Sequence, residues 1–298
     1  MTGPTAPGLG VSLQGVTQRF GSVTALDHVD LQIRPGTITG LLGRNGSGKT
    51  TVATLLAAFR RPSAGQVLVD GQDPWENEHL VPHICLVREA GDLPPDERMS
   101  AVLRFVADRR PFFAPEVAAG LMDTFALDPR RRLAKLSRGQ RSAFGIVVGL
   151  ASRAPLTVLD EVHLGLDAPS RYAFYDALLA DYLAHPRTIV LSSHLIDEID
   201  RLLEDVIVLD RGRVLVAQDA ESLRARAVAV TGPADRVEAF ATGREVLGRQ
   251  QLGRTAQVTL LAELGRDDHD RARRDGLELG PVRLQDLFVH LTDPREQR

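Results

Sequence analysis

Residues 43–50 read Gly43-Arg44-Asn45-Gly46-Ser47-Gly48-Lys49-Thr50. They fit the pattern G-x-x-x-x-G-K-[ST], and the context fits as well. Thr37-Ile38-Thr39-Gly40-Leu41-Leu42 reads as an apolar strand before the turn, and Lys49 to about Arg60 reads as a helix after it. The chemistry needs this order. Glycines open backbone angles closed to other residues. The N–H groups of the turn then face inward as an anion nest, with a helix N-terminus behind them. Lys49 adds a compact positive charge for two phosphates. The Thr50 hydroxyl, with Thr51 beside it, suits a hard divalent cation that takes a few protein oxygens plus phosphate. A Gly-rich turn that merely caps a helix would not need the lysine and the hydroxyl in these places.

Downstream, Leu156-Thr157-Val158-Leu159-Asp160-Glu161 is an apolar strand ending in two adjacent carboxylates. Such a pair is costly unless something neutralises it. Beside a phosphate loop, Asp160 can hold Mg²⁺ directly or through water. Glu161 then reaches past the metal to an attacking water, as general base or as orienter. Alone, this pattern is also that of a strand ending at the surface.

With both elements in order, the chain resembles an ABC-family nucleotide-binding domain. Leu136-Ser137-Arg138-Gly139-Gln140 resembles the family's Leu-Ser-Gly-Gly-Gln signature. Gly165-Leu166-Asp167 resembles its D-loop, and Ser192-Ser193-His194 resembles its switch histidine. Phe20, followed by Gly21 and Ala25-Leu26, matches the aromatic that stacks on adenine. The resemblance spans about Leu13 to Asp219. It implies ATP held by Phe20, Gly43, Asn45, Gly46, Ser47, Gly48, Lys49, Thr50 and Thr51, and Mg²⁺ held by Thr50, Asp160 and Glu89. It implies Glu161 and His194 as the catalytic pair. It also implies that Ser137, Gly139 and Gln140 present a second anion site to the ATP of a second ABC subunit, with a homodimer expected. Ser137 is a good N-cap for a helix beginning at Arg138, so a plain capped helix start is the simpler reading of that stretch.

Three positions depart from the family's pattern. Glu89 stands where the family has glutamine in the loop joining core to helical subdomain. Arg138 replaces a signature glycine, and Val162-His163 replaces Pro-Thr after the acid pair. Glu89 is expected to keep metal sensing while shifting its strength.

Composition sets outer limits. The chain has 298 residues, 43% of them hydrophobic and 25% charged, as in ordinary globular proteins. Its net charge of -3 gives no reason to expect a nucleic-acid partner. Lys49 and Lys135 are the only lysines among 36 basic residues, which singles out Lys49, since Arg and Lys are not interchangeable at a phosphate site. The single cysteine, Cys85, rules out an intrachain disulfide and lies in an apolar stretch, where it reads as a buried thiol. No apolar run approaches the ~20 residues of a membrane helix, and the N-terminus does not read as a signal peptide. The expected location is therefore cytoplasmic, and the family resemblance implies attachment to the inner face of the membrane through an integral membrane permease. His79 and His83 are interrupted by Pro82 and lack a third ligand, so they do not read as a metal site.

Along the chain, residues 1–10 read as a flexible tail, 11–219 as the ATP-binding domain and 220–298 as a small accessory domain. Strands are expected at 11–13, 29–33, 37–42, 66–69, 156–159, 188–191 and 206–209. The helical subdomain, about 92–140, carries helices at Ala101–Asp108 and Glu116–Phe125, and Leu93-Pro94-Pro95 with Met99 is expected to line a groove for the permease. The tail carries weak strands at Ala227–Val230 and Ala256–Leu261 and a last helix at Arg283–Leu291. The expected class is α/β: a P-loop NTPase of ABC type, with a mixed sheet core, a helical subdomain and an α+β appendage. The expected function is ATP hydrolysis driving export, with a drug or natural product favoured as cargo. A catalytically silent regulatory subunit and a non-transport ABC ATPase are the alternatives. A single phosphate loop, and too short an insertion for a coiled coil, weigh against the latter.

Overall fold

In a computed structural model, residues 8–89, 93–262 and 264–292 are described. The residues divide into two compact units, one running to His194 and including Arg201–Ala217, the other comprising Leu195–Asp200 and the residues from Gln218 on.

In the first unit, strands β1 (Val11–Phe20) and β2 (Val23–Ile33) form a hairpin. Strand β3 (Ile38–Gly43) runs into helix α1 (Lys49–Leu56), and β4 (Ala64–Val69) returns beside β1. Strand β5 (Ile84–Arg88) precedes helices α2 (Met99–Ala107), α3 (Pro115–Thr124) and α4 (Arg138–Ser152). Strand β6 (Leu156–Asp160), helix α5 (Ala168–Ala184), β7 (Thr188–Ser193), β8 (Asp205–Asp210) and β9 (Arg213–Asp219) complete the order.

Two sheets result. One is antiparallel, in the order β2-β1-β4, and the other runs β5-β6-β7-β3-β8-β9. From β5 to β8 every pairing is parallel. Parallel strands buried on both faces read as continuous apolar runs, and β6 and β7 are buried at every position. This order places the C-terminal ends of β3, β6 and β7 along one edge, where open α/β sheets bind ligands.

The sequence reading needs correction in several places. Strand β1 extends to Phe20 rather than ending at Leu13, because irregularities between Leu13 and Val16 and again near Gln18 break the alternation that marks a strand. Helix α1 stops at Leu56 rather than about Arg60. Ala58 adopts φ 57° and the Phe59 N–H closes back on the Thr54 carbonyl at 3.0 Å, a left-handed helix stop made without glycine. Met99 is fully buried and is not among the residues bordering the cavity of about 220 Å³ that Leu93 and Pro95 form with Leu133 and Arg141. The tail expected at 1–10 falls mostly outside the described residues. Its last part is packed: the Leu9 N–H donates to the Pro155 carbonyl and the Gly10 carbonyl accepts from Asp70. Cys85 is buried in β5, which pushes its thiol up.

The second unit contains α6 (Ile196–Ile199), α7 (Ala220–Ala225), β10 (Ala227–Pro233), α8 (Ala234–Ala241), β11 (Glu245–Leu252), β12 (Thr255–Leu261), α9 (Arg266–Arg274), β13 (Glu278–Pro281) and α10 (Leu284–Leu291). Its four strands pair antiparallel in the order β11-β12-β10-β13, a βαββαβ arrangement of ferredoxin-like type. Val230, Val258 and Leu260 pack against Val237 and Phe240 of α8 and Ala272 of α9. Strands β11 and β13 show no apolar period in the sequence, because β11 is almost wholly exposed and β13 has four residues.

Candidate functional site

The loop between β3 and α1 is shaped by its glycines. Gly46 and Gly48 take φ 81° and 110°, which disfavour any side chain. A Cβ on Gly43 would stand 2.3 Å from Ser47 Oγ and 2.6 Å from the Leu209 carbonyl. Ser47 Oγ is buried and has no hydrogen-bond partner, so the cradle holds an unused polar group. The Ser47 carbonyl accepts from Gly212 at 3.0 Å, which ties the loop to the turn after β8.

Lys49 is buried, with 5% of its surface exposed. Its ammonium donates to the Gly43 and Arg44 carbonyls at 2.7 and 3.2 Å and pairs with Glu161 Oε1 at 3.1 Å. The phosphate loop and the acid pair, 112 residues apart in sequence, are therefore joined by a direct bond, and the step from β3 across β7 to β6 is what brings them together.

Asp160 ends β6 and is 4% exposed, and its Oδ1 accepts from Ser192 Oγ at 2.5 Å. Glu161 turns the chain with φ 51°, and its N–H donates to the Ser192 carbonyl at 3.2 Å. Its other polar neighbour is His194, whose Nδ1 donates to Oε1 at 3.2 Å. Burial alone would push the Glu161 carboxyl up. The Lys49 ammonium and the bonds from His194 and Lys49 together outweigh it and hold the group below the usual carboxylate range. Glu161 is thus ionised at neutral pH and held between two donors.

Ser192 and His163 were not singled out as site residues by the motifs. The signal for Ser192 was faint: two serines closing an otherwise apolar strand. His163 is completely buried, its Nε2 shares a hydrogen bond with Ser193 Oγ at 3.0 Å, and its Nδ1 has no partner. Burial pushes its pKa down to about 4, with Glu161 pulling upward and His194 and Arg171 pulling down. The folded value lies below the unfolded one, so the folded chain binds fewer protons between them. Stability from this group is full above about pH 6.5 and is lost as pH falls toward 4. The His163→Thr variant is expected to flatten that part of the profile of unfolding free energy against pH by up to about 3 kcal/mol, measured by urea denaturation from pH 4 to 7. An unchanged slope would mean that another group causes the acid loss.

The signature stretch forms the expected cap. Ser137 Oγ accepts from the Gln140 N–H at 3.1 Å, and Gln140 Oε1 accepts from the Ser137 N–H at 3.2 Å, a full capping box. Gly139 lies against the D-loop, where a Cβ would stand 2.9 Å from the Gly165 carbonyl. Among the described residues, the hydrogen bonds of the Ser137 and Gln140 side chains stay within residues 131–140 and do not reach the phosphate loop. Phe20 ends β1 and is 43% exposed, with the Arg60 guanidinium 4.8 Å above its ring. Asn45, Gly46 and Thr50 are exposed at the loop, and Thr51 is half-buried in the first turn of α1. Glu89 carries its carboxylate to Arg138.

A glycine-shaped anion cradle, a buried lysine and a paired acid at the C-terminal edge of a parallel sheet define a phosphate-loop protein that binds and hydrolyses a nucleoside triphosphate. Comparison with known proteins narrows the class. The model for the ABC transporter family matches residues 26–163. The doxorubicin resistance ATP-binding protein DrrA of Mycobacterium tuberculosis is 31% identical over 74% of this chain and 68% of its own length. The Nod factor export ATP-binding protein I of Ralstonia nicotianae is 30% identical over 70% and 68%. An aliphatic sulfonates import ATP-binding protein of Nocardia farcinica is 36% identical over 70% and 81%. The solved ATP-binding subunit of an ABC transporter superposes with a TM-score of 0.65 at 22% identity, over 72% of this chain and 91% of that one. The chain belongs to the ABC transporter ATP-binding family and is an ATPase.

Proposed function

We propose that the chain is the motor subunit of an exporter, which hydrolyses ATP as two copies close on each other and so drives a separate membrane permease. The observation that carries this reading is the Lys49–Glu161–His194 chain of contacts at the mouth of the phosphate loop. It joins the triphosphate grip to the group that aims the water. Residues 11–219 form the ATP-binding domain in this reading, with the helical subdomain at about 92–140, and 220–298 form an accessory domain. Among the described residues no helix is long and apolar enough to cross a membrane. A partner then supplies the path, and the chain works at the inner membrane face.

The residues fit Mg²⁺–ATP. Thr50 and Asp160 present hard oxygens, and the unpartnered Ser47 hydroxyl lies in the cradle. Thr50 and Asp160 would hold the ion, which would supply positive charge to offset that of the phosphates. Lys49 holds the phosphates, Phe20 stacks on the base, and the Ser137–Gly139 helix end meets the ATP of the other copy. Glu161 orients the water, and His194 fixes the Glu161 carboxylate.

An exporter is favoured because two of the relatives above are named for drug resistance and for export. The likeness to an importer subunit is consistent with a shared ATPase core that serves either direction. Inverted vesicles containing this chain and its permease are expected to accumulate doxorubicin only with ATP, and to lose uptake with Leu93→Asp. ATP-dependent uptake of no amphipathic drug or natural product would reject the cargo class, and co-purification with no membrane protein would reject the motor role.

A further inference from the structure

The two positions that depart from the family pattern around the helical subdomain, Glu89 and Arg138, are bonded to each other. Glu89 closes the strand end beside Asp160, and all of its polar groups are engaged. Its N–H donates to the Asp160 carbonyl at 3.2 Å, its carbonyl accepts from Ser142 Oγ at 3.4 Å, and its carboxylate accepts from Arg138. Asp160 ends the strand that carries the acid pair, whereas Arg138 and Ser142 lie in the first two turns of α4. One residue therefore joins the acid-pair strand to the signature helix.

The charges explain why the pair occurs together. A glutamate at this place adds a negative charge at the end of the strand that pairs with the one carrying Asp160 and Glu161. A glycine at 138 would leave that charge unopposed. Arg138 offers a planar fork that suits a carboxylate. Its side chain is 75% exposed while that of Glu89 is 25% exposed, so the guanidinium reaches in from the surface and the carboxylate stays inside.

We propose that Arg138 is a positioning residue that holds the Glu89 carboxylate on the signature helix and away from the metal site, and so sets the affinity for the divalent cation. The proposal rests on the ATP-hydrolysing reading given above. It replaces direct metal ligation by Glu89 with a latch that Arg138 controls. Removing the guanidinium frees a carboxylate next to Asp160, and that carboxylate adds an oxygen ligand.

The test is Mn²⁺ binding to the full chain in the presence of ADP, followed by loss of the free-ion EPR signal, with the Mg²⁺ dependence of ATP hydrolysis as a second readout. Arg138→Ala is expected to tighten Mn²⁺ binding about fivefold, and to change it less than about twofold when Glu89 is already Gln, because no carboxylate is left to free. Arg138→Lys keeps a cation near Glu89 without the planar fork and is expected to tighten binding by less than Arg138→Ala does. Circular dichroism melts establish that each variant folds, and alanine is well tolerated in the first turn of a helix. Equal tightening in both Glu89 backgrounds, or none in either, would overturn the latch while leaving the ATPase reading intact. A wild-type chain that neither binds Mn²⁺–ADP nor hydrolyses ATP would overturn the reading of the site, and the latch with it.

Discussion

Glu161→Gln is expected to lower ATP hydrolysis by about 10²–10⁴-fold, the range in which a positioned acid or base contributes, while ATP still binds. The substitution is nearly isosteric and keeps a carbonyl oxygen where Oε1 accepts from Lys49 and His194. What it removes is the negative charge. That charge is available at neutral pH because the Lys49 ammonium and the His194 bond outweigh burial. A carboxylate stabilised in this way is a weak base, so its main service is to orient water and to stabilise the charge that water acquires. A colorimetric phosphate assay beside a nucleotide-binding titration separates turnover from affinity. Equal loss of both would show that Glu161 serves the fold of the loop and not the chemistry. Full turnover in the variant would show that Glu161 does not carry the hydrolytic step.

Lys49→Ala is expected to weaken ATP binding by about tenfold to a hundredfold, the equivalent of one hydrogen bond to a charged group. A second cost falls on the folded chain itself. The Gly43 and Arg44 carbonyls lose their donor, and Glu161 loses the nearer of its two partners. Buried groups left unsatisfied cost about 1–3 kcal/mol, so the denaturation midpoint should fall even without nucleotide. Lys49→Arg does not repair this. The guanidinium is too broad for a point between two loop carbonyls and a carboxylate, and its planar fork aims elsewhere. Titration with a fluorescent ATP analogue measures the first effect and urea denaturation the second. Wild-type affinity in Lys49→Ala would refute the phosphate-loop assignment.

The helical layer shows how local rules succeed. The helices expected at Ala101–Asp108 and Glu116–Phe125 are present as Met99–Ala107 and Pro115–Thr124, and the one expected from Arg138 begins there. Apolar period, proline at the first helical position and a serine cap all act within one or two turns. The C-terminal unit shows where such rules stop. Strand β11 has an almost fully exposed surface, and its partner β12 was legible only because Ala256, Val258 and Leu260 alternate inward. Helix α1 stopped early for a reason no residue type announces, an alanine held in a left-handed turn.

By itself the sequence determined the class of chemistry, since the phosphate loop, the acid pair and the ordered motifs are covalent patterns whose spacing survives in any fold that uses them. It also determined the element types wherever burial is periodic. Only the tertiary structure decided who pairs with whom: Lys49 with Glu161, Ser192 with Asp160, His163 with Ser193, and Arg138 with Glu89. These contacts join residues that different strands and helices bring to one sheet edge, and long-range pairing of that kind depends on strand order, which local sequence does not carry.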